Sequence, residues 1–186
     1  MKYYSPYMDV STATLLQGLG FKKGSSLDYD LLVLTGGEDV SPEYYGEKNT
    51  DSYCNPVRDE IEFAECYRAF KKGKKMLGIC RGAQVLNVLS DGKMIQHIPK
   101  GHRAFHVVTT HDGKERTVNS AHHQGIVPHE TTEVLATHDD GVAEAIYIPK
   151  FKALGVQWHP EWLEMTHDGN RYFRELVKEY LDEPNI

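Results

Sequence analysis

The hydrophobic pattern in the first half of the chain consists of short apolar runs separated by segments with helical spacing. Residues 30–34 and residues 76–79 form two such runs, which are typical of strands buried on both faces in a parallel sheet. A tyrosine-rich stretch at residues 2–7 predicts a first strand ahead of them. This alternation of strands and helices is typical of the α/β class.

Helical spacing of apolar residues occurs in four segments between and after the predicted strands. These are residues 11–18, a stretch that begins at Asp59, residues 81–89 and residues 166–181. In the second segment Glu62 follows Asp59 by three positions, which is the spacing of a capping box and predicts that the helix begins there. Its apolar face is predicted to consist of Phe63, Tyr67 and Phe70.

A period of two dominates between residues 93 and 148. The predicted strands are residues 105–109, 116–118, 134–137 and 143–148. Strand and helix alternation followed by this β-rich region predicts a three-layer α/β sandwich, with a mostly parallel central sheet and antiparallel strand additions. The sequence has no repeat, low-complexity tract or linker, so we expect a single domain over residues 1–186.

The segment GICRG, residues 78–82, has the pattern of a nucleophile elbow. An apolar run ends at Cys80 and a helical pattern begins at once, so a sharp turn would expose the cysteine side chain. Gly78 and Gly82 suit such a turn because it leaves little room for Cβ atoms. The start of a helix also favours the thiolate, which is the reactive form. The segment alone leaves a buried structural cysteine as the alternative.

A candidate base for this thiol occurs near the C-terminus, in the segment GVQWHPEW at residues 155–162. A thiol nucleophile needs a base, and the base needs a partner that fixes its tautomer. His159 is the candidate base and Glu161 the candidate partner, while Pro160 restricts His159 to an extended conformation. Taken by itself, this segment is also compatible with a turn at the end of a strand.

Six segments of the chain, in order, resemble those of class I glutamine amidotransferases, and most closely their γ-glutamyl hydrolase branch, peptidase C26. They are the oxyanion strand and loop at residues 34–42, the helix start at 58–62, the nucleophile segment at 78–84, the substrate-side segment at 118–124, the late hairpin at 140–146 and the His-x-Glu segment at 155–161. The resemblance implies a flavodoxin-like class I glutamine amidotransferase fold.

The resemblance also implies a mechanism and its residues. Cys80 would attack a γ-glutamyl amide carbonyl, with His159 as proton carrier and Glu161 as its partner. The backbone N–H groups of Arg81 and Gly37 would bind the oxyanion. The implied substrate contacts are Gln84 and the backbone around Ser120, Ala121 and His122. Adjacent strand residues point to opposite faces, so at most one of His122 and His123 is expected to face the site. The side chain of Arg81 would meet a carboxylate or solvent.

Composition excludes several other classes of function. The 186 residues are 40% hydrophobic and 26% charged, as expected of a soluble domain with a core. A net charge of −6 and a pI near 5.9 offer no basic face for nucleic acid. We expect no membrane span and no signal peptide, since the apolar runs are short. Three cysteines without close spacing argue against a disulfide framework, so a cytoplasmic location is expected.

Histidines and the remaining cysteines suggest no cofactor. A zinc site would draw on the histidines at positions 97, 102, 106 and 111. Their spacing matches no standard ligand pattern and no CxxC pair accompanies them, so the sequence predicts solvated or hydrogen-bonded histidines and no metal. Cys54 and Cys66 are interpreted as packing residues or exposed thiols.

Three functions are compatible with these residues. The first is a free-standing hydrolase that cleaves γ-glutamyl amides such as γ-glutamyl-γ-aminobutyrate. The second is a glutaminase subunit that takes glutamine and delivers ammonia to a separate synthase. The third, a non-catalytic binding relative, is disfavoured because Cys80, His159 and Glu161 are all present. A peptidase acting on proteins is disfavoured because the substrate-side segment resembles a pocket for one amino acid. The oligomeric state is left open.

Overall fold

The computed structural model of the chain describes residues 1–98, 102 and 104–181. The helices in this part are α1 (Val10–Gly18), α2 (Pro56–Lys71), α3 (Arg81–Leu89) and α4 (Asp168–Tyr180). The strands are β1 (Lys2–Tyr4), β2 (Lys22–Lys23), β3 (Leu31–Leu34), β4 (Lys75–Ile79), β5 (Lys93–Ile95), β6 (His106–Thr110), β7 (Glu115–Val118), β8 (Gly125–Val127), β9 (Glu133–His138), β10 (Ala143–Ile148) and β11 (Ala153–Val156). No helix in these described ranges is long and apolar enough to cross a membrane.

The strands form one mixed sheet in which a parallel half meets an antiparallel half. Its order is β2-β1-β3-β4-β11-β10-β9-β6-β7, with β8 pairing to both β10 and β5. Strands β2 to β11 in this order pair in parallel, and β11 then pairs antiparallel with β10. The remaining pairs are antiparallel. This confirms the predicted α/β fold with a parallel core and antiparallel additions.

Helices cover both faces of the parallel half. Side chains of β3 alternate between two hydrophobic cores, as the period of two requires. Leu31 and Val33 lie in the core that contains residues of α1 and α4, whereas Leu32 and Leu34 lie in the core that contains residues of α2 and α3. All four are inaccessible to solvent. The sheet is therefore the middle layer of the expected three-layer sandwich.

The predicted start of α2 is wrong. The helix begins at Pro56, and Asn55 is its N-cap, with a side chain that accepts a hydrogen bond from the backbone N–H of Arg58. Asp59 and Glu62 lie inside the helix, fully buried, and both form ion pairs with Arg81. The two carboxylates have the spacing of a capping box, but they pair with an arginine of the neighbouring helix instead.

The predicted apolar face of α2 is also wrong. Tyr67 is 59% exposed and Phe70 is 37% exposed, while the face turned to the core carries Glu65, Cys66 and Ala69 together with the paired carboxylates. Phe63 is half-buried and its ring stacks on Tyr44, with ring centroids 4.3 Å apart. Small and charged residues face inward here because α2 packs closely on α3 and must accommodate two arginines.

The other long elements agree with the sequence. The predicted helices at residues 11–18, 81–89 and 166–181 correspond to α1, α3 and α4, and the runs at 30–34 and 76–79 to β3 and β4. The period-two segments correspond to β6, β7, β9 and β10. Strands β5 and β8 were not predicted, since three residues are too few to establish a period.

Two glycines allow α3 to pack directly on the sheet. A Cβ atom on Gly82 would lie 2.2 Å from the backbone oxygen of Leu34 in β3. A Cβ atom on Gly78 would lie 2.4 Å from the backbone carbon of Gly82. Neither space admits a side chain, so these glycines set how closely the first turn of α3 approaches β3 and β4.

We expect Gly82→Ala to lower the free energy of unfolding by about 1–3 kcal/mol, because the added methyl group must displace the backbone of a central strand. Urea unfolding followed by circular dichroism measures the change. Gly18→Ala is the matched control, because nothing lies within 4 Å of the added atom there. It should leave stability unchanged or slightly higher. Equal stability of the two variants would contradict this account of the packing.

Candidate active site

Cys80 occupies a strained turn between β4 and α3. Its backbone has φ 51° and ψ −107°, in the positive-φ region that non-glycine residues rarely adopt. The turn is held on both sides: the N–H of Cys80 donates to the carbonyl of Val156 at 2.7 Å, and its carbonyl accepts from the N–H of Ala83 at 3.0 Å. The geometry is that of a nucleophile elbow, with the thiol at the N-terminus of α3.

His159 reaches the same edge of the sheet as Cys80. Strands β4 and β11 are parallel neighbours, with Ile79 opposite Val156, so the residues that follow them emerge side by side. The His159 Nδ1 atom lies 2.6 Å from the Glu161 Oε1 atom. The imidazole also stacks on the indole of Trp162, with centroids 3.7 Å apart and planes inclined by 3°. The ring is thus held in one orientation.

The environment of His159 favours its protonated form. Burial of the ring lowers its pKa, but the hydrogen bonds and charges of Cys80 and Glu161 outweigh burial and raise the pKa to about 10. At neutral pH the His159 ring is therefore protonated, beside the side chains of Cys80 and Glu161. That arrangement supplies a nucleophile and a proton donor together.

Asn119 fixes the backbone of His159. Its side-chain amide donates to the His159 carbonyl at 2.9 Å, and its amide oxygen accepts from the His159 N–H at 3.1 Å. Two reciprocal hydrogen bonds hold the strand end from one side chain. Asn119 had no predicted role of its own, although it lies at the start of the substrate-side segment.

Arg58 fixes the loop that follows β3. Its guanidinium donates to the carbonyl of Gly36 at 2.9 Å and to the carbonyl of Thr35 at 3.2 Å. A Cβ atom on Gly37 would lie 1.9 Å from the Arg58 Nη1 atom, and Gly37 has φ 157°. Arg58 and Gly37 are therefore in direct contact, with no room for a side chain at position 37. The sequence placed Arg58 at a helix start and gave no signal of this contact.

These elements surround one open cleft of about 840 Å³. Cys80 and His159 lie in it together. One side is formed by residues 6–9 and Ser11, another by Thr35, Gly36, Gly37 and Arg58, and a third by Ala121, Glu161 and Trp162. The first side is tied to the second, because the Thr35 hydroxyl donates to the carbonyl of Tyr7 at 2.7 Å.

The structure brings some of the sequence-predicted residues to the cleft and leaves others outside it. Cys80, His159, Glu161, Gly37 and Ala121 line it. Four do not line it: Arg81, Gln84, Ser120 and His122. The substrate contacts assigned to them, and the oxyanion donors at Arg81 and Gly37, stay predictions.

The residues outside the cleft have other partners. The Arg81 side chain is 1% exposed and pairs with two carboxylates, so solvation of this side chain is excluded. The Ser120 hydroxyl donates to the carbonyl of His102 at 2.5 Å. His122 is buried, with its Nδ1 atom 2.8 Å from the carbonyl of Gln124, and His123 contacts Asp39. The two side chains thus have different partners, and neither lines the cleft.

Comparison with known proteins identifies relatives at the level of sequence. The sequence profile of the peptidase C26 family matches residues 26–112 and 106–161. A protein of Mycobacterium tuberculosis with the provisional name glutamine amidotransferase is 38% identical over 169 residues, which cover 78% of this chain and 54% of that protein. The γ-glutamyl-γ-aminobutyrate hydrolase of Escherichia coli K12 is 29% identical over 163 residues, covering 72% of this chain and 64% of the hydrolase.

Solved structures share the fold. A Thermoplasma acidophilum protein, provisionally named as one subunit of a GMP synthase, superposes with a TM-score of 0.67 at 18% identity, covering 97% of this chain and 95% of the other. At that identity the match establishes the fold alone. The chain spans about half the length of the mycobacterial relative, so activities of the longer proteins do not transfer with the similarity.

We expect Glu161→Gln to lower the pKa of His159 from its value of about 10, because the substitution removes a neighbouring negative charge and keeps the side-chain volume. NMR titration of the His159 ring protons measures the change. Glu164→Gln is the control, since Glu164 is exposed. An unchanged His159 titration in Glu161→Gln would show that the 2.6 Å contact carries no charge interaction.

We expect Asn119→Ala to slow the alkylation of Cys80 by iodoacetamide at pH 7 several-fold, because His159 loses both hydrogen bonds that hold its backbone. Mass spectrometry of the peptide that carries Cys80 separates this thiol from Cys54 and Cys66. Asn49→Ala, in an exposed loop, should react at the wild-type rate. A wild-type rate in Asn119→Ala as well would rule out the positioning role.

Proposed function

We infer that this chain, which belongs to the peptidase C26 family of the class I glutamine amidotransferase-like superfamily, hydrolyses γ-glutamyl amide bonds through a cysteine nucleophile. The observation that carries the proposal is that Cys80 at a strained elbow and the His159–Glu161 pair line one cleft. His159, whose pKa is raised to about 10, carries a proton that it can give to a leaving amine.

The reaction proceeds in two acyl transfers. The Cys80 thiolate attacks the γ-carbonyl carbon of the substrate, and the C–N bond breaks as His159 gives its proton to the leaving amine. This leaves a γ-glutamyl thioester on Cys80. His159, now neutral, takes a proton from water, and the resulting hydroxide attacks the thioester carbonyl. The C–S bond then breaks, which releases a product with a free γ-carboxylate and restores the Cys80 thiolate. Glu161 stabilises the imidazolium in both steps.

The oxyanion of each tetrahedral intermediate needs donors that are fixed in advance. The backbone N–H of Arg81, directly after the nucleophile, is the first candidate, because its position is set by the elbow. The backbone N–H of Gly37 is the second, because Arg58 holds the loop beside the cleft. Arg58 binds the carbonyls of Thr35 and Gly36. The Gly36 carbonyl and the Gly37 N–H belong to the same peptide plane, so this contact also orients the Gly37 N–H.

The substrate we favour is a γ-glutamyl amine, such as γ-glutamyl-γ-aminobutyrate. Similarity to the E. coli hydrolase of that name supports this choice. The cleft is open, and residues 6–9 and Ser11 form a side on which the amine portion of a substrate can lie beyond the scissile bond.

A glutaminase subunit that delivers ammonia to a separate synthase is the second candidate. The Thermoplasma relative, with its provisional GMP synthase name, favours it, because that protein matches this chain over nearly its whole length. Such a subunit would need glutamine and its partner for full activity.

The deciding experiment measures product release by the purified chain from L-glutamine and from γ-glutamyl-γ-aminobutyrate, without added partner. Rapid cleavage of the γ-glutamyl amine with little ammonia from glutamine is the expected result. Cys80→Ala serves as the blank and should be inactive while remaining folded. Substantial residual activity in that variant would exclude Cys80 as the nucleophile. Ammonia release that appears only with a synthase would favour the second candidate.

Variants of the other two residues test their separate roles. We expect His159→Ala to lower kcat more than Glu161→Gln, because His159 transfers the proton and Glu161 only orients and stabilises the imidazole. Steady-state kinetics on the preferred substrate gives both values. Equal losses would assign Glu161 more than an orienting role.

A further inference from the structure

A second group of titratable side chains lies at the antiparallel half of the sheet, with His102, His122 and Glu144 buried and the others partly exposed. It consists of His102, His106, His122 and His138 with Glu144 of β10 and Asp140 (hereafter the histidine cluster). The His102 ring lies 4.3–5.0 Å, centroid to centroid, from the rings of the other three. None of these residues takes part in the proposed reaction.

Glu144 is the centre of the histidine cluster. It is inaccessible to solvent, and its Oε1 atom lies 2.8 Å from His102 Nδ1, 3.5 Å from His106 Nε2 and 3.5 Å from His122 Nε2. A buried carboxylate needs compensating positive charge. Burial raises the pKa of Glu144, but the histidines outweigh burial and hold the pKa well below its ordinary value, so the group is ionised.

A proton alone leaves much of the cluster unsatisfied. Burial lowers the pKa of His102, but its hydrogen bonds to Glu144 and Asp140 raise it, so a protonated His102 can donate to both. His106 Nε2 and His122 Nε2 then approach Glu144 Oε1 only at 3.5 Å and without hydrogen-bond geometry, and Glu144 Oε2 is buried without a partner. Buried polar atoms usually have a closer partner, so two imidazole nitrogens beside a carboxylate with an unpartnered oxygen point to a missing cation.

The donor atoms have the composition and spacing of a metal site. The ligand atoms of His102, His106 and Glu144 all lie within 4.8 Å of one another. Two imidazole nitrogens and one carboxylate oxygen form a ligand set that zinc accepts, and bonds of about 2 Å at tetrahedral angles place neighbouring donors about 3.3 Å apart. The separation of 3.5 Å between His106 Nε2 and Glu144 Oε1 is close to that value. His102 Nδ1 and Glu144 Oε1, at 2.8 Å, would have to move apart by about 0.5 Å when an ion binds.

A supporting shell is also present. A histidine that binds metal through one nitrogen usually donates its other N–H to a carboxylate. His102 directs Nδ1 at Glu144 and Nε2 at Asp140, 3.0 Å away. Asp140 is held in turn by His138, whose Nδ1 atom lies 2.9 Å from Asp140 Oδ1. This arrangement would fix the His102 tautomer that leaves Nδ1 free to bind.

We propose that His102, His106 and Glu144 bind one divalent transition-metal ion of the zinc type. The ion would connect His102 to His106 of β6 and Glu144 of β10, two strands that are far apart in the sequence. A tetrahedral ion with three protein ligands has one further coordination position. His122 Nε2 is the adjacent nitrogen that could occupy it, since it lies 3.5 Å from Glu144 Oε1 without hydrogen-bond geometry. The sequence predicted no metal, because ligands so unevenly spaced show no motif before the fold brings them together.

The site would support the cleft without taking part in the chemistry. The carbonyl of His102 accepts from the N–H of His122 at 3.0 Å and from the Ser120 hydroxyl at 2.5 Å. Between them lies Ala121, which lines the cleft. On the other side, the Gln157 N–H donates to the Glu144 carbonyl at 2.8 Å, two residues before His159. A metal ion would hold both flanks of the active site.

The other histidines that the sequence singled out carry no proposal. Asp51, His97 and His123 also approach one another, but Asp51 and His97 are more than half exposed and can be solvated. His97 is thus outside the histidine cluster, and His111 is exposed on a turn. Of the four histidines that the sequence singled out, only His102 and His106 belong to the histidine cluster.

The test measures Zn²⁺ binding to metal-free full-length chain in a Cys80→Ala background, which removes a thiolate that would itself bind zinc. Equilibrium dialysis gives the stoichiometry, and thermal unfolding with and without Zn²⁺ gives the shift in Tm. We expect one ion per chain and an increase in Tm of several degrees.

Three variants locate the site. Glu144→Gln and His106→Asn should each lose the bound ion and the Tm shift, while His97→Asn, in the exposed trio, should keep both. Because Glu144→Gln changes a buried group, His106→Asn at the edge of the cluster provides an independent variant. Long-range ¹H–¹⁵N correlation of the imidazoles in the parent protein also shows directly which ring nitrogens bind Zn²⁺.

The outcomes are distinct from those of the activity tests. No bound zinc and no Tm shift in the parent would overturn the proposal and leave the cluster compensated by protons. Binding that only His97→Asn abolishes would assign the ion to the exposed trio and overturn it equally. The proposed hydrolase function stands or fails on product release, whatever the binding result.

Discussion

A buried arrangement of two arginines and two acidic residues determines the geometry of the active site. Arg81, directly after the nucleophile, pairs with Asp59 and Glu62 of α2, and Arg58 pairs with the same Glu62 at 3.0 Å. Arg58 also binds the carbonyls of the loop after β3. One network therefore joins the nucleophile helix, its neighbouring helix and the loop that borders the cleft. Glu38, which is one-third exposed, pairs with Arg58 as well, at 3.1 Å. Asp59 has its ion pair with Arg81, so removing Arg81 would leave a buried carboxylate without its counter-charge, which is costly.

The sequence was informative about the residues of the proposed triad and uninformative about what holds them. Cys80 and His159–Glu161 were found because each lies in a short segment whose pattern has a local physical cause, a tight turn or a restricted strand end. The partners of Arg81 lie 19 and 22 residues away along the chain. Asp59 and Glu62 were therefore interpreted as a helix cap, since carboxylates near a helix start are usually solvated and only tertiary packing buries them.

The same contrast applies to the fold. Buried parallel strands and the α3 and α4 helices follow from apolar pattern, because each must cover a large core surface. The inward face of α2 does not, since it carries Glu65, Cys66 and Ala69 in place of large apolar side chains. Asn119 was missed for a related reason. Its two hydrogen bonds go to the backbone of His159, and because every residue type has the same backbone groups, the sequence at His159 does not indicate such a partner.

The cleft lies between two buried charged groups that respond differently to pH. Arginine stays charged at any pH at which proteins are folded, so the network around Arg81 is a fixed support. His159 and Glu144 respond to pH instead. The pKa of His159 is raised, so its contribution to stability is complete below the ordinary value of 6.5 and is lost as pH rises through about 10. The pKa of Glu144 is lowered from 4.5, so its contribution is complete above that value and is lost as pH falls through the folded-state value. The contribution of His159 is therefore lost in alkali and that of Glu144 in acid, while Arg81 stays charged in both.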